Sequence, residues 1–446
     1  MIHGLPSARK YLSEARAPGP HPLSPDLAKG IIRIFGQELS VEEAVSRILE
    51  EVLERGDEAV LDYAMRIDGM APEGLEATEA ERQAAEAQVS PKVLASLRFA
   101  AQRITDYQSQ AKEYAVRDFQ RDGLGQRVTP IDKVGIYVPG GTALYPSTVL
   151  MATIPARVAG VGEVVLVSPP LRDGALSPLV LAAANIARVD RVFKIGGAQA
   201  IAALAFGTET VPRVDKIFGP GNIFVQTAKR LVYGRVGIDT IQGPTEAVLI
   251  ADDSTDPEWC AADLLAQAEH DPQASSILIT PSSNLALRVQ REVERQLKGA
   301  AREETLRSSL ERNGAIIVVD TVEEAIELSN LYAPEHLCLM MRNVREYAPL
   351  VKNAGALFLG EHSPHVLGDY VAGPSHVLPT AGAARYSSAL GVNDFLKVTS
   401  VIALADHEVE SLASQGATLA RAEGFEAHAR SLDLRAASRA RGKGGS

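Results

Sequence analysis

Cysteine is nearly absent: the 446-residue chain carries two, Cys260 and Cys338. They make neither a disulfide framework nor a CxxC metal site, and they read as buried apolar side chains in a reducing compartment. Basic residues are outnumbered, 45 Lys and Arg against 56 Asp and Glu, for a net charge of −11. That balance favours solubility and argues against a general nucleic-acid or anionic-membrane binder. No apolar run approaches the roughly 18 residues of a membrane span. The N-terminal stretch MIHGLPSARKYLSEARAPGP has no apolar core of the signal-peptide kind, so a cytoplasmic protein is expected. There is no repeat of fixed period and no GxGxxG fingerprint. What remains is ordinary globular material, 46% hydrophobic with a mean hydropathy near zero, long enough for two or three domains.

Residues 1 to about 30 are Pro-rich (APGPHPLSPD) and aperiodic, which predicts an extended arm and not a core element. A capping box, Ser40-Val-Glu-Glu43, opens a predicted helix that Gly56 closes. A second helical block covers about 79–115. From Asp132 the texture changes. Short β-branched strands read at Val134–Val138, Val164–Val167, Arg191–Ile195, Lys216–Phe218 and Ala247–Ile250, with helices at about 147–159, 177–188, 198–206 and 222–233. A second alternating block follows. Its helices read at about 257–270, 282–297 and 321–332, and its strands at Ser276–Thr280, Ala315–Val319, Leu337–Met341 and Ala356–Leu359. Such alternation predicts an α/β protein with parallel sheets covered on both faces. The chain past about 400 reads as helical again and ends in a basic stretch, RAASRARGKGGS, expected to be disordered.

Open α/β sheets bind ligands beyond the carboxyl ends of their strands. Four Gly-rich segments are expected at those ends: Pro139-Gly140-Gly141-Thr142, Gly196-Gly197-Ala198-Gln199, Gly219-Pro220-Gly221-Asn222 and Gly243-Pro244-Thr245-Glu246. Glycine lets backbone N–H groups approach a ligand closely, and a helix N-terminus often follows. One such turn is usually structural. Four in one domain point to a phosphate-bearing or other anionic ligand.

The stretch Tyr332-Ala333-Pro334-Glu335-His336-Leu337 lies between a predicted helix and a predicted core strand. Pro334 disfavours helix at Ala333, so the chain should turn there. Glu335 and His336 are the side-chain types best suited to proton transfer near neutral pH, unless they merely decorate a surface loop. On the helix predicted over 257–270, Gln267 and His270 share a face, with Asp263 one turn earlier. A loop rich in glycine carries Asp369 and His376. The C-terminal helical segment carries Glu423 and His428, which alone would read as exposed helix residues. Gln, His, Asp and His are nitrogen and oxygen donors without a thiolate, a set suited to Zn²⁺ or Mn²⁺. Their spacing leaves open whether they meet. The residues themselves thus point to a two-unit α/β enzyme with an anionic cofactor, an N/O metal site and a Glu–His acid/base pair.

The chain also resembles the histidinol dehydrogenase family. The matching strings are YVPGGTALYPSTVLM (137–151), IGGAQAIAALAFGTETVPRVDKIFGPGN (195–222), GPTEAVLIAD (243–252), DLLAQAEHDP (263–272), YAPEHL (332–337), GDYVAGPSHVLPT (368–380) and AEGFEAHARS (422–431). They span about residue 30 to 435. The resemblance implies oxidation of L-histidinol to L-histidine in two NAD-dependent steps by a homodimer with shared sites. It implies one Zn²⁺ per site, held by Gln267, His270, Asp369 and a His428 from the partner subunit. His336 would take the alcohol proton and Glu335 would activate water for the aldehyde step. Thr245, Gln267, His270, Glu335, His336, Asp369, His376, Glu423 and His428 fall where the family meets substrate, and Tyr137, Gln199 and Asn222 where it meets NAD.

Two incomplete Rossmann-like domains are implied, one from residues 33–136 and 247–388 with the metal and acid/base site, the other from 137–246 on the NAD side. An N-terminal arm, 1–32, and a C-terminal segment, 389–446, would reach the other subunit. Thr245 stands where the family usually has Ser, which keeps the hydroxyl. Ser375 stands where it often has Asn, so any hydrogen bond from that amide is lost. Two other readings compete. One is a related NAD-dependent dehydrogenase acting on another alcohol such as a sulfonated diol, which would not need Glu423 and His428. The other is a metal-dependent hydrolase with Glu335 as base, which leaves the Gly-rich strand ends unexplained.

Overall fold

A computed structural model describes residues 1–15, 25–140 and 144–442. They form two units, one of Met1–Tyr114 with Ile131–Phe395 and one of Ala115–Pro130 with Leu396 onward. In chain order the strands are β1 (Ile2–His3), β2 (Phe119–Arg121), β3 (Leu124–Pro130), β4 (Lys133–Tyr137), β5 (Glu163–Ser168), β6 (Arg191–Lys194) and β7 (Lys216–Phe218). They continue as β8 (Gly237–Ile238), β9 (Glu246–Ala251), β10 (Ser275–Thr280), β11 (Ala315–Val318), β12 (His336–Met340), β13 (Ala356–Leu359) and β14 (Leu396–Ile402).

The larger unit holds two parallel sheets, β1-β11-β10-β9-β12-β13 and β6-β5-β4-β7-β8. Both are built outward from a central strand. The chain leaves β9 toward β10 and β11, then crosses back to lay β12 on its other side. It likewise leaves β4 toward β5 and β6 before adding β7. Each reversal opens a crevice between neighbouring strands, β9/β12 in one sheet and β4/β7 in the other. The central strand β9, EAVLIA, is buried along its whole length, as a strand covered on both faces must be. The predicted strands and the helices between them thus lie within a residue or two of their observed limits.

The helix Gly197–Phe206 is Ala-rich and buried nearly all round, so it needs an outer cover. Helices Val41–Arg55 and Asp57–Asp68 supply it: Val45, Ile48, Val52, Ala59 and Tyr63 share a core with Phe193, Ile201 and Leu204. Residues 41–68, expected with the first sheet, therefore pack on the second, and β4 starts before the expected boundary at 137. The predicted capping box at Ser40 is present, with Glu43 N–H donating to Ser40 Oγ and Ser40 N–H to Glu43 Oε2.

Two further expectations fail. Residues 2–15 are not an extended arm. β1 pairs in parallel with β11, and helix Leu5–Ala15 buries Ala8 and Leu12, one turn apart, in the core of the first sheet. Pro6 is its second residue, where the first turn tolerates proline, and the next prolines fall beyond the helix, so none breaks it. Nor is the basic tail devoid of structure, since helix Glu426–Gly442 takes in residues 435–442. Residues 16–24 and 443–446 lie outside the described residues.

The smaller unit is an antiparallel sheet, β14-β3-β2, with the helical hairpin Asp406–Ala422 and Glu426–Gly442 turning at Gly424 (φ 86°). Its Ile402, Leu412, Leu419, Phe425 and Leu434 are exposed.

Candidate active site

The helix Val322–Tyr332 stops at Ala333, which adopts a left-handed conformation (φ 53°) with its N–H bonded to Ser329 O at 2.7 Å. Pro334 bars helix at that residue, and the chain turns straight into β12. Glu335 and His336 are thereby carried inside, 7% and 4% exposed. Glu335 Oε2 accepts from Thr245 Oγ1 at 2.6 Å and from the Glu246 N–H at 2.9 Å. His336 Nδ1 lies 3.1 Å from the Glu246 carbonyl oxygen. A carbonyl only accepts, so Nδ1 carries a proton in either charge state and Nε2 is the nitrogen that gains or loses one. Nε2 has no hydrogen bond and faces Asp369 Oδ1 at 3.5 Å.

These groups titrate as a unit. Burial pushes the Glu335 carboxyl up to about 7, against the pull of His336, Thr245 and the Glu246 N–H. Burial works the other way on His336, but Glu335 and Asp369 outweigh it and the imidazole is pushed up to about 9. Burial also opposes ionisation of Asp369, yet the facing imidazoles, His336 foremost, hold its carboxyl below the usual range.

Gln267, on helix Pro257–Ala268, is fully buried. Its Nε2 donates to Thr245 Oγ1 at 2.7 Å, while its Oε1 is buried without a hydrogen-bond partner. A buried amide oxygen left over in this way suits a cation. His270 sits in the turn after the helix, two residues past its observed end, and feels the Asp369 carboxylate. Asp263, one turn before Gln267, is a buried carboxyl that burial pushes up to about 6. Among the described residues no three His, Cys, Asp or Glu side chains form a group able to hold a metal. His270 and Asp369 lie in the larger unit, Glu423 and His428 in the smaller one.

His376 uses both ring nitrogens, Nδ1 to the Asp369 carbonyl oxygen at 2.7 Å and Nε2 to Thr148 Oγ1 at 3.0 Å. Ser375 donates to Met151 O at 3.2 Å and accepts from the Val377 N–H. The Ser375 hydroxyl therefore anchors the chain locally at this position. Thr148 and Met151 belong to the helix Pro146–Ala159 that follows β4, so Ser375 and His376 are tied to the second sheet, while Asp369 itself lies not in a loop but in the short helix His365–Tyr370.

At the carboxyl ends of β4, β6 and β7 the other expected contacts gather. The Gly197 N–H donates to Tyr137 Oη at 3.1 Å. Gln199 is 1% exposed, and neither of its amide atoms has a hydrogen-bond partner. Asn222 is exposed and caps helix Ile223–Val232 through Oδ1. A Cβ at Gly140 or Gly196 would stand 2.7 or 2.6 Å from Pro169, so these turns touch only because both residues are glycine. Gly141 and Thr142 lie outside the described residues. The fourth segment behaves differently. Gly243–Glu246 leads into the amino end of β9, and its Thr245 and Glu246 hold Glu335.

His365 went unremarked in the sequence. It is fully buried, its ring lies 5.3 Å from that of His336, and neither ring nitrogen has a hydrogen-bond partner. The signal was its position four residues before Asp369, on one face of the short helix His365–Tyr370.

A proton-transfer pair withdrawn from water serves chemistry more than binding, and glycine-lined strand ends suit an anionic cofactor; the class is an α/β oxidoreductase. Known proteins narrow it. The family model "Histidinol dehydrogenase" matches residues 35–436. A histidinol dehydrogenase of Geobacillus kaustophilus is 50% identical over 394 residues, 88% of this chain and 93% of its own length. One from Dehalococcoides mccartyi (strain 195) is 48% identical over 388 residues, 87% and 89% of the two chains. The crystal structure of histidinol dehydrogenase from Elizabethkingia anophelis superposes with a TM-score of 0.85 at 34% identity, covering 94% of this chain and 97% of that one. The chain belongs to the histidinol dehydrogenase family.

Proposed function

We propose that the protein oxidises L-histidinol through L-histidinaldehyde to L-histidine, reducing two NAD⁺. The burial of Glu335 and His336 side by side, with different partners, carries this reading. His336, in its neutral form with its Nδ1–H fixed on Glu246 O, takes the hydroxyl proton at Nε2 as hydride leaves the carbon. That proton must reach solvent before the next step. Glu335 then takes a proton from water as it adds to the aldehyde, and His336 deprotonates the hydrate for the second hydride loss. The balance is one alcohol, one water and two NAD⁺ giving one carboxylate, two NADH and three protons. Tyr137, Gln199 and Asn222 would hold NAD⁺, which would supply the hydride acceptor.

Gln267 Oε1, His270 and Asp369, with His428 of the partner subunit, would hold a Zn²⁺ ion, which would anchor the substrate through its nitrogens. The free Oε1 of Gln267 supports this. Glu423 would meet substrate beside His428, and Thr245 and His376 would shape the site through Glu335 and Asp369. The exposed Leu412, Leu419, Phe425 and Leu434 of the smaller unit support a homodimer in which that unit reaches a second copy. No helix among the described residues is long and apolar enough to cross a membrane. A cytoplasmic location is part of the proposal, supported by the two free thiols.

NADH formation, followed by absorbance with L-histidinol and with a sulfonated diol, tests the reading. Two NADH per histidinol are expected, with none from the diol. No NADH from histidinol would sink it, and turnover of the diol alone would favour the related dehydrogenase.

A further inference from the structure

Lys229, on the helix after β7, is fully buried beside Asp239, whose side chain is 5% exposed. Their ion pair is half of the arrangement. Lys229 Nζ also donates to the Gly219 carbonyl oxygen at 2.9 Å, and Asp239 Oδ2 accepts from the Gly219 N–H at 2.8 Å. Both backbone groups of one glycine are thus gripped by two opposite charges.

Gly219 is a residue that needs holding. Its φ is +114°, and a Cβ there would stand 2.0 Å from the Tyr137 carbonyl oxygen. The turn is pressed against the end of β4 at the β4/β7 crevice. Gln226 secures the far side of the same turn, with Nε2 3.4 Å from Gly221 O and Oε1 accepting from the Gln242 N–H at 3.0 Å.

Well-packed apolar residues usually stabilise a core as well as a buried ion pair does. A pair whose members both bond the backbone of one turn is suited instead to fixing the shape of that turn. We propose that Lys229 and Asp239 are positioning residues for the cofactor-side turn. They hold Gly219 so that the backbone from Gly219 to Asn222 meets the anionic cofactor already in its bound shape. The inference rests on reading that turn as the NAD side.

The test compares full-length wild type with the Lys229→Met/Asp239→Leu double variant, which fills the space without charge. Thermal midpoint, NAD⁺ binding by calorimetry and steady-state kinetics are measured on each. With the midpoint little changed, KM and Kd for NAD⁺ should rise about tenfold while KM for L-histidinol stays put. Unchanged NAD⁺ constants overturn the proposal. So does a fall in kcat with both KM values intact, which marks only a smaller folded fraction. Wild type that neither binds NAD⁺ nor oxidises histidinol would instead sink the reading of function, and this proposal with it. Hydrogen exchange on wild type keeps the proposal falsifiable if the double variant does not fold. The Gly219 amide should already be protected without NAD⁺, and protection gained only on NAD⁺ binding would overturn it.

Discussion

Thr245→Val deletes one hydroxyl and should retune the acid/base pair. Thr245 Oγ1 donates to Glu335 Oε2 at 2.6 Å and accepts from Gln267 Nε2 at 2.7 Å, so both bonds vanish in a side chain of nearly the same shape. A hydrogen bond to a charged group contributes about 1.5–3 kcal/mol. At about 1.36 kcal/mol per unit, its loss should lift the Glu335 pKa by about one to two units. The sign follows from which form the bond favours. Burial already pushes this carboxyl up to about 7, and Thr245 opposes the rise by stabilising the carboxylate. Glu335 serves as a base only when ionised, so the acidic limb of the pH profile for L-histidinaldehyde oxidation should move to higher pH by that amount. Thr245→Ser keeps the hydroxyl, and its profile should overlie wild type. Gln267 Nε2 loses its acceptor in the Val variant, which should also lower stability by about 1–3 kcal/mol. The assay is kcat/KM for the aldehyde across pH in all three proteins. Coincident acidic limbs in wild type and Thr245→Val would refute the tuning of Glu335 by this bond.

Glu335→Gln should slow aldehyde oxidation far more than alcohol oxidation, and equal losses in both steps would refute the division of labour with His336. In metal-free protein the same change should flatten the dependence of stability on pH. Burial holds the Glu335 carboxyl at about 7, above the ordinary 4.5. Its contribution is fully present below about pH 4.5 and is lost as pH rises through 7. The loss is about (7 − 4.5) × 1.36, or about 3 kcal/mol. Urea midpoints at pH 5 and pH 8 in chelator measure it, and an unchanged difference in the variant would contradict the assignment. His336→Ala and His428→Ala chains, mixed and refolded together, should recover part of the activity. No recovery in proven mixed dimers would mean that each site is built within one chain. Chelation should abolish turnover and Zn²⁺ or Mn²⁺ restore it, whereas a fully active metal-free enzyme would remove the proposed ligand set.

Local rules made the helix–turn–strand around Pro334 readable, because the proline, the preceding periodic helix and the apolar run all act within a few residues. The same rules gave the alternating strands and the capping box at Ser40. They failed where the deciding partner is distant. Helix Leu5–Ala15 is ordinary in composition and owes its place to β11, more than 300 residues along the chain. Likewise, nothing near Val41–Arg55 says which sheet it covers. That follows from the buried, Ala-rich helix Gly197–Phe206, which leaves one face in need of apolar cover.

The Gly-rich segments carry the most instructive difference. Ligands of parallel sheets are expected at the carboxyl ends of strands, and three of the four segments sit at such ends, after β4, β6 and β7. The fourth, Gly243-Pro244-Thr245-Glu246, enters β9 at its amino end, and the acid/base pair enters β12 at the same level: His336 pairs with Ala247. There is a physical reason for a carboxylate to sit there. The first residue of β9 offers the Glu246 N–H to Glu335, while its carbonyl takes the His336 Nδ1–H. One residue at a strand start thus fixes an acid and a base in opposite hydrogen-bonding roles. A partnership across 89 residues has no local signature, so Glu246 was visible in the sequence only as the end of a turn.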